Sequence, residues 1–301
     1  MRNFHENFTL RAVLGWAREY LRERGVESAA LDAEVLLAHV TGLDRAGLYR
    51  ESERALTSQE AEAYRRLVER RGQREPVAYL TGKKEFMGLK FAVGPAVLIP
   101  RPETELLVEK ACALARELVS ERSGLPGAGG ELLLADVGTG CGAIAVSLAV
   151  FLPEARIYAT DCSPAALEVA EKNARRHGVA ARISFLQGDL LTPLFDLDLT
   201  GRLDLIVANL PYVPTAELPG LMPDVRCYEP LSALDGGPDG LWPYRRLIPQ
   251  ARRCLAGHGC LLMEIGPGQG EQMSRLLAED GWRHQLIHDL AGRERVVLAA
   301  L

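Results

Sequence analysis

From Leu132 onward, short apolar runs alternate with helical stretches, and this alternation limits the possible folds more than any other property of the 301 residues. Leu132–Val137, residues 156–161, Ile183–Gln187 and Leu203–Ala208 read as strands, while Ala143–Phe151 and residues 164–177 read as helices. A strand that must return parallel to its neighbour needs a crossover helix, so the pattern predicts an α/β fold: a mainly parallel, Rossmann-like sheet covered on both faces. Ser163 followed by Pro164 is a structural helix start, an N-cap with proline in the first turn. Further on, residues 241–255 and 271–280 read as helices and 260–265 as a strand, with closing strands at 284–289 and 295–301. Those last two are too close for a crossover, so an antiparallel final pair is expected.

The remainder of the chain is long enough for a second, smaller domain. Residues 1–75 show helical periodicity, with Leu31, Val35, Leu36 and His39 at helical spacing and Gly25, Gly42 and Gly47 as punctuation. A small helical bundle ending near Arg71 and Gly72 is expected, with Arg70, Arg71 and Arg74 as a solvated helix end. In residues 76–102, Gly82, Gly88, Gly94 and Pro95 separate the apolar segments 86–89 and 91–93, which suggests a β-hairpin linker. Residues 104–120 resume a helical pattern and 124–130 read as a surface loop. The domains are thus 1–75 helical, 76–102 linker and 103–301 catalytic.

A net charge of −5 and a pI near 5.8 argue against a chain that grips nucleic acid by its phosphates. Six cysteines without a CxxC pair or a preceding secretory signal indicate reduced thiols and a cytoplasmic protein. No apolar run approaches the roughly 20 residues of a membrane span, so no membrane role is expected. His284 and His288, four apart on an expected strand, offer no helical metal face, and no metal site is expected.

The glycine-rich run Asp136, Val137, Gly138, Thr139, Gly140, Cys141, Gly142 stands where the first buried strand turns into a helix. Glycines there let backbone approach a ligand and aim a helix N-terminus at it. With Ala143 the run also satisfies the dinucleotide fingerprint, so the loop alone does not choose between cofactors. Asp161, ending the next strand, is placed to accept hydrogen bonds from ribose hydroxyls, and Asp189 after the third strand is placed near an adenine. Cys141 is assigned packing and backbone roles.

The choice comes from Asn209, Leu210, Pro211, Tyr212, directly after the strand Leu203–Ala208. Carboxyl ends of strands form the ligand crevice in an open α/β sheet, so this tetrapeptide should lie beside the cofactor. An amide nitrogen is a poor nucleophile because its lone pair is delocalised. A site that methylates one must bind both N–H groups and aim the lone pair at the methyl carbon. Asn209 Oδ1 and the Leu210 carbonyl are suitable acceptors, Pro211 stiffens the turn, and the face of Tyr212 can hold the substrate plane and favour the transferred positive charge. That chemistry takes S-adenosylmethionine as cofactor and releases S-adenosylhomocysteine.

Over nearly its whole length the chain resembles the HemK/PrmC family, methyltransferases of the Gly-Gly-Gln glutamine of class 1 peptide chain release factors. The resemblance rests on residues 74–82, on Leu98, Ile99, Pro100, Arg101, Pro102, Glu103, Thr104, Glu105, on the glycine loop, and on residues 229–237 and 239–241. It implies a class I S-adenosylmethionine-dependent methyltransferase domain with a helical N-terminal domain that docks the release factor. It further implies that Asp136, Gly138, Thr139, Gly140, Cys141, Gly142, Asp161, Asp189, Leu190 and Asn209 bind the cofactor, and that Asn209, Leu210, Pro211 and Tyr212 hold the glutamine. Arg101 and Glu103 are site candidates by this likeness only, an ion pair being the structural alternative. The family's usual tetrapeptide is Asn-Pro-Pro-Tyr. Leu210 replaces its second residue, which works through its carbonyl, so the acceptor survives with a less rigid turn.

Three other functions compete. A methyltransferase of the adenine exocyclic amine presents the same planar N–H pair but needs a basic groove, which the acidic balance disfavours. A dinucleotide oxidoreductase leaves the tetrapeptide idle. A non-catalytic protein that binds a translation factor would use the cofactor only as ballast.

Overall fold

The computed structural model describes residues 9–123 and 131–301. The surface loop expected at 124–130 and the first eight residues of the helical segment lie outside the described residues. The chain divides into two compact units, one running to Lys83 and adding Met222–Tyr228, the other comprising Lys84–Leu221 and Glu229–Leu301. No helix among the described residues is long and apolar enough to cross a membrane.

The first unit holds α1 (Leu10–Arg22), α2 (Ala29–Thr41), α3 (Arg45–Arg50), α4 (Ser58–Gly72) and α5 (Val77–Thr81). Thr57 and Glu60 close a capping box at the start of α4. The core takes Leu10, Val13, Leu14, Ala17 and Leu21 from α1, Ala33, Leu36 and Leu37 from α2, and Tyr64 and Val68 from α4. The inward face of α2 is therefore not the one expected: Leu31 is 47% exposed, while Asp32 and Glu34 are buried. Apolar spacing misleads here because each buried carboxylate has cationic partners. Glu34 accepts from Arg18 at 2.8 Å and Arg45 at 2.6 Å, and Asp32 from Arg71 at 2.7 Å. The expected solvated helix end is corrected in the same way. Arg71 is only 5% exposed, because it also reaches Asp224 at 2.6 Å beside Arg74 at 2.5 Å. A charge is removed from water only where a partner compensates it.

The hairpin pairs β1 (Lys83–Phe86) with β2 (Leu89–Ala92). The apolar segment read at 86–89 is largely the turn. Met87 and Gly88 both have positive φ, 52° and 72°, as a two-residue hairpin turn of the right twist requires. A methionine there is strained, and the Glu105 carboxylate holds its N–H at 2.7 Å.

The second unit continues with α6 (Thr104–Ser123), β3 (Leu132–Val137), α7 (Ala143–Phe151), β4 (Ala155–Asp161), α8 (Pro164–Arg176), β5 (Ile183–Gln187) and β6 (Leu203–Ala208). After α9 (Pro223–Arg226), which belongs to the first unit, come α10 (Trp242–Cys254), β7 (Leu255–Glu264), α11 (Gly270–Glu279), β8 (Arg283–His288) and β9 (Glu294–Ala300). The seven strands lie in the order β5-β4-β3-β6-β7-β9-β8, parallel from β5 to β7, with β9 antiparallel to both neighbours as expected of the closing pair. All six residues of β3 and of β6 are buried, which is why both are apolar but for one acid each, Asp136 and Asp204. Leu133, Ala135 and Val137 face one way and share a core with Tyr244, Leu247 and Ile248 of α10 and Met273 and Leu277 of α11. The other face carries α6, α7 and α8.

Candidate active site

β3 leads outward on one side to β4 and β5, and the chain then returns to place β6 on the other side of β3. This reversal of strand order opens a crevice at the carboxyl ends of β3 and β6. The register pairs Val137 with Ala208, so the glycine loop and the tetrapeptide leave the sheet side by side. A Cβ on Gly138, whose φ is 73°, would fall 3.0 Å from Leu210 Cδ2. The left-handed φ requires the glycine, and the closeness of Leu210 adds to that requirement.

The cavity there is lined by Gly138, Gly140, Asp161, Asp189, Leu190, Asn209, Leu210 and Pro211 of the expected residues. Its wall continues through Val97, Leu98, Pro230 and Arg246. Asp161 shapes the loop as well as facing the cavity: Oδ2 accepts from Gly140 N and Oδ1 from Ser163 N, both at 2.9 Å. A carboxylate has about four lone-pair positions, so acceptors remain for a vicinal diol. Asp189 is paired with Arg246 across the rim. Leu190 lines the cavity with φ of 51°, a left-handed backbone that costs a non-glycine residue about 1 kcal/mol. The backbone cradle and the carboxylates fit a nucleoside-bearing cofactor.

Asp136, Thr139, Cys141 and Gly142 are placed differently, beneath the loop rather than on the cavity wall. Asp136 is fully buried, accepting from Thr139 Oγ1 at 2.6 Å and Ala145 N at 3.0 Å, with Oδ1 unpartnered. Cys141 is buried and offers its carbonyl to Asn173 Nδ2 at 2.8 Å. A Cβ on Gly142 would meet Ala170 Cβ at 3.0 Å, so this glycine serves helix packing.

Burial pushes the Asp136 carboxyl up to about 7, against the hydrogen bonds from Thr139 and Ala145 that lower it. Its folded value lies above its unfolded value, so its contribution to stability is full below about pH 4 and is lost as pH rises through about 7. Asp136→Asn, free of cofactor, should therefore melt above the parent protein at pH 8 and lose that advantage by about pH 4. Melting curves that differ by the same amount at both pH values would refute this.

In the tetrapeptide, Asn209 Nδ2 donates to Thr104 Oγ1 at 3.1 Å, so the carbonyl end of the amide is turned away from Thr104. The Leu210 carbonyl lies 3.2 Å from the Tyr244 hydroxyl, which is closer, at 2.6 Å, to the Glu264 carbonyl. One hydroxyl proton cannot fully serve both, and a carbonyl has two lone pairs, so Leu210 can still accept. Tyr212 is fixed by its main chain, its carbonyl accepting from Gln269 Nε2 at 3.0 Å. Gly240 has φ of 76°, and a Cβ on it would lie 2.3 Å from that carbonyl oxygen. Burial raises the Tyr212 phenol to about 12, so it stays protonated.

The run at 98–105 is tied to the segment at 229–230: Ile99 N donates to Glu229 Oε2 at 3.1 Å and Arg101 to Oε1 at 2.5 Å. Arg101 thus forms the ion pair that was the alternative to a site role, with a partner 1% exposed at its side chain.

Sequence reasoning passed over Thr104, Tyr244, Glu264 and Asn173. Glu264 carried a signal, an acid closing an apolar strand next to the crevice, the same signal that singled out Asp161. Asn173 had none; it is fully buried and bonds Ala92 and Cys141.

A switch-point crevice with a glycine cradle on one side and a polar tetrapeptide on the other defines a Rossmann-like methyltransferase. In agreement, residues 131–281 match the family described as methyltransferase domain, and residues 12–82 that described as PrmC N-terminal domain. The chain is 49% identical over 293 residues to the release factor glutamine methyltransferase of Moorella thermoacetica, covering 97% of this chain and 98% of the relative. With the protein of that name from Geobacter sulfurreducens it shares 46% over 277 residues, 92% of this chain and 91% of the other. The chain belongs to the release factor glutamine methyltransferase family. Among solved structures, the human METTL16 catalytic domain in complex with MAT2A 3'UTR hairpin 6 gives a TM-score of 0.53 at 16% identity, covering 82% of this chain and 84% of that one. That likeness concerns the fold alone.

Proposed function

We propose that this chain transfers a methyl group from S-adenosylmethionine to the side-chain amide nitrogen of the glutamine in the Gly-Gly-Gln motif of class 1 peptide chain release factors, acting in the cytoplasm. The observation that carries this reading is the orientation of Asn209, whose Nδ2 is engaged by Thr104 while the residue lines the cavity beside the glycine cradle.

When bound, S-adenosylmethionine supplies an electrophilic methyl carbon on its sulfonium. Gly138, Gly140, Asp161, Asp189 and Leu190 hold its nucleoside. Asn209 Oδ1 and the Leu210 carbonyl accept the two N–H groups of the glutamine amide, which fixes its plane and presents the nitrogen lone pair across that plane. Tyr212 flanks the amide and favours the positive charge gained on nitrogen. Positioning of this kind supplies most of the rate without a strong base, and the extra proton leaves the nitrogen after transfer. The helical unit, within which the PrmC N-terminal domain matches, docks the release factor. The net charge of −5 favours a protein substrate over nucleic acid, and six unpaired cysteines accord with a reducing compartment.

Incubation with S-adenosylmethionine and an intact class 1 release factor should add ~14 Da to the Gly-Gly-Gln peptide by mass spectrometry. No gain on that peptide, with transfer to DNA or RNA instead, would overturn the assignment.

A further inference from the structure

Behind the tetrapeptide, groups from α6 and α10 meet one residue at the end of β7. Glu264 is 1% exposed and Thr104 4% exposed. The Thr104 hydroxyl neighbours the Glu264 carboxyl and favours its ionised form, and the same hydroxyl oxygen accepts from Asn209 Nδ2 at 3.1 Å. The main-chain carbonyl of Glu264 accepts from Tyr244, whose hydroxyl also approaches the Leu210 carbonyl. Glu264 Oε2 has no hydrogen-bond partner, although it is buried. An unpartnered carboxylate oxygen in such a place is costly, and a purely structural role would be served better by an apolar residue.

We propose that Glu264 is the positioning residue for the methyl-accepting amide, acting through Thr104 on Asn209, and that its charge decides which end of the Asn209 amide faces the substrate. The inference rests on the amide-methylation reading above. Its logic is a count of protons. Thr104 has one hydroxyl proton, and an ionised Glu264 has only acceptors, so Thr104 must donate to it. Thr104 then offers only lone pairs to Asn209, which must turn Nδ2 toward it and Oδ1 toward the substrate. A protonated Glu264 reverses every step: its O–H donates to Thr104, the Thr104 proton is released toward Asn209, and the amide turns Nδ2 toward the substrate. An N–H donor facing the glutamine N–H groups repels them.

Burial raises the Glu264 carboxyl to about 7, against the Thr104 hydrogen bond and Arg295 and Arg101, with Glu103 raising it further. Tyr212 and Tyr244 also face it, and both phenols are held neutral by burial. Arg295 is itself paired with Asp289 at 3.1 Å.

The experiment is the pH profile of kcat on an intact release factor at saturating S-adenosylmethionine, for the parent, Thr104→Ser, Thr104→Val and Glu264→Gln. The parent should lose activity as pH falls through about 7. Thr104→Ser should keep that limb and most of the rate. Thr104→Val and Glu264→Gln should lower kcat by about 10- to 100-fold, with S-adenosylmethionine affinity within about threefold and the acidic limb abolished. Thr104→Val retaining the parent's rate and limb would overturn the proposal, and that pair decides it even if Glu264→Gln does not fold. A parent that methylates no glutamine would instead defeat the underlying reading, which keeps the two failures distinct.

Discussion

Asn209→Ala should lower kcat for glutamine methylation by about 100- to 1,000-fold while leaving the Kd for S-adenosylmethionine within about twofold. The magnitude is that of removing one preorganised hydrogen-bonding group from a transition-state site. Asn209 supplies the side-chain acceptor for an amide N–H, and the loss is felt where the nitrogen must be held in line. Cofactor affinity should hardly move, because the cradle of Gly138, Gly140 and Asp161 is built by β3 and β4 and by the bond from Gly140 N to Asp161, none of which involves the Asn209 side chain. Calorimetry for binding and single-turnover mass spectrometry for transfer separate the two quantities. If the Kd rose in proportion to the fall in kcat, the division between cofactor-holding and amide-holding residues would be wrong.

Asp161→Ala should do the opposite, raising the Kd for S-adenosylmethionine by about 10- to 100-fold, with the rate at saturating cofactor much less affected. Hydrogen bonds to a charged acceptor are worth roughly 1.5–3 kcal/mol, and 1.4 kcal/mol is tenfold in affinity. The same carboxylate holds Gly140 N and Ser163 N, so the variant also loosens the glycine loop and the start of α8. Asp161→Asn, which retains an acceptor oxygen, should fall between the two. An unchanged Kd in Asp161→Ala, measured by calorimetry, would remove Asp161 from the cofactor site.

These two residues differ in how they could be recognised. Asp161 ends a strand next to a glycine loop, and the alternation of strands and helices together with the topology rule locates it without coordinates. Asn209 required the further argument that an amide nitrogen needs two acceptors. Leu132–Val137 and Leu203–Ala208 were legible to the residue because central parallel strands are buried on both faces and are apolar but for one acid each, while Ile183–Gln187, at the sheet edge and only partly buried, was legible as a short apolar segment before the turn at Gly188. The face of α2 was not legible: Leu31 lies outward and Asp32 inward because Arg71, 39 residues further on, waits for that carboxylate. The turn at Met87 was hidden for a related reason, its positive φ being supported by Glu105 from another element. Nor did the glycine loop reveal which of its members face the ligand, since Asp136 still belongs to β3 and the turn begins only at Gly138.

Local patterning therefore determined the α/β alternation, the glycine cradle at its first turn, and a tetrapeptide with the chemistry to hold a planar nitrogen, because those depend on periodicity and on the functional groups of neighbouring residues. The tertiary structure decided that β6 lies against β3, so that Asn209 meets the cradle, and that Thr104, Tyr244 and Glu264 meet behind it. Those residues lie far apart along the chain, and no periodicity records a contact that only strand order and helix packing bring about.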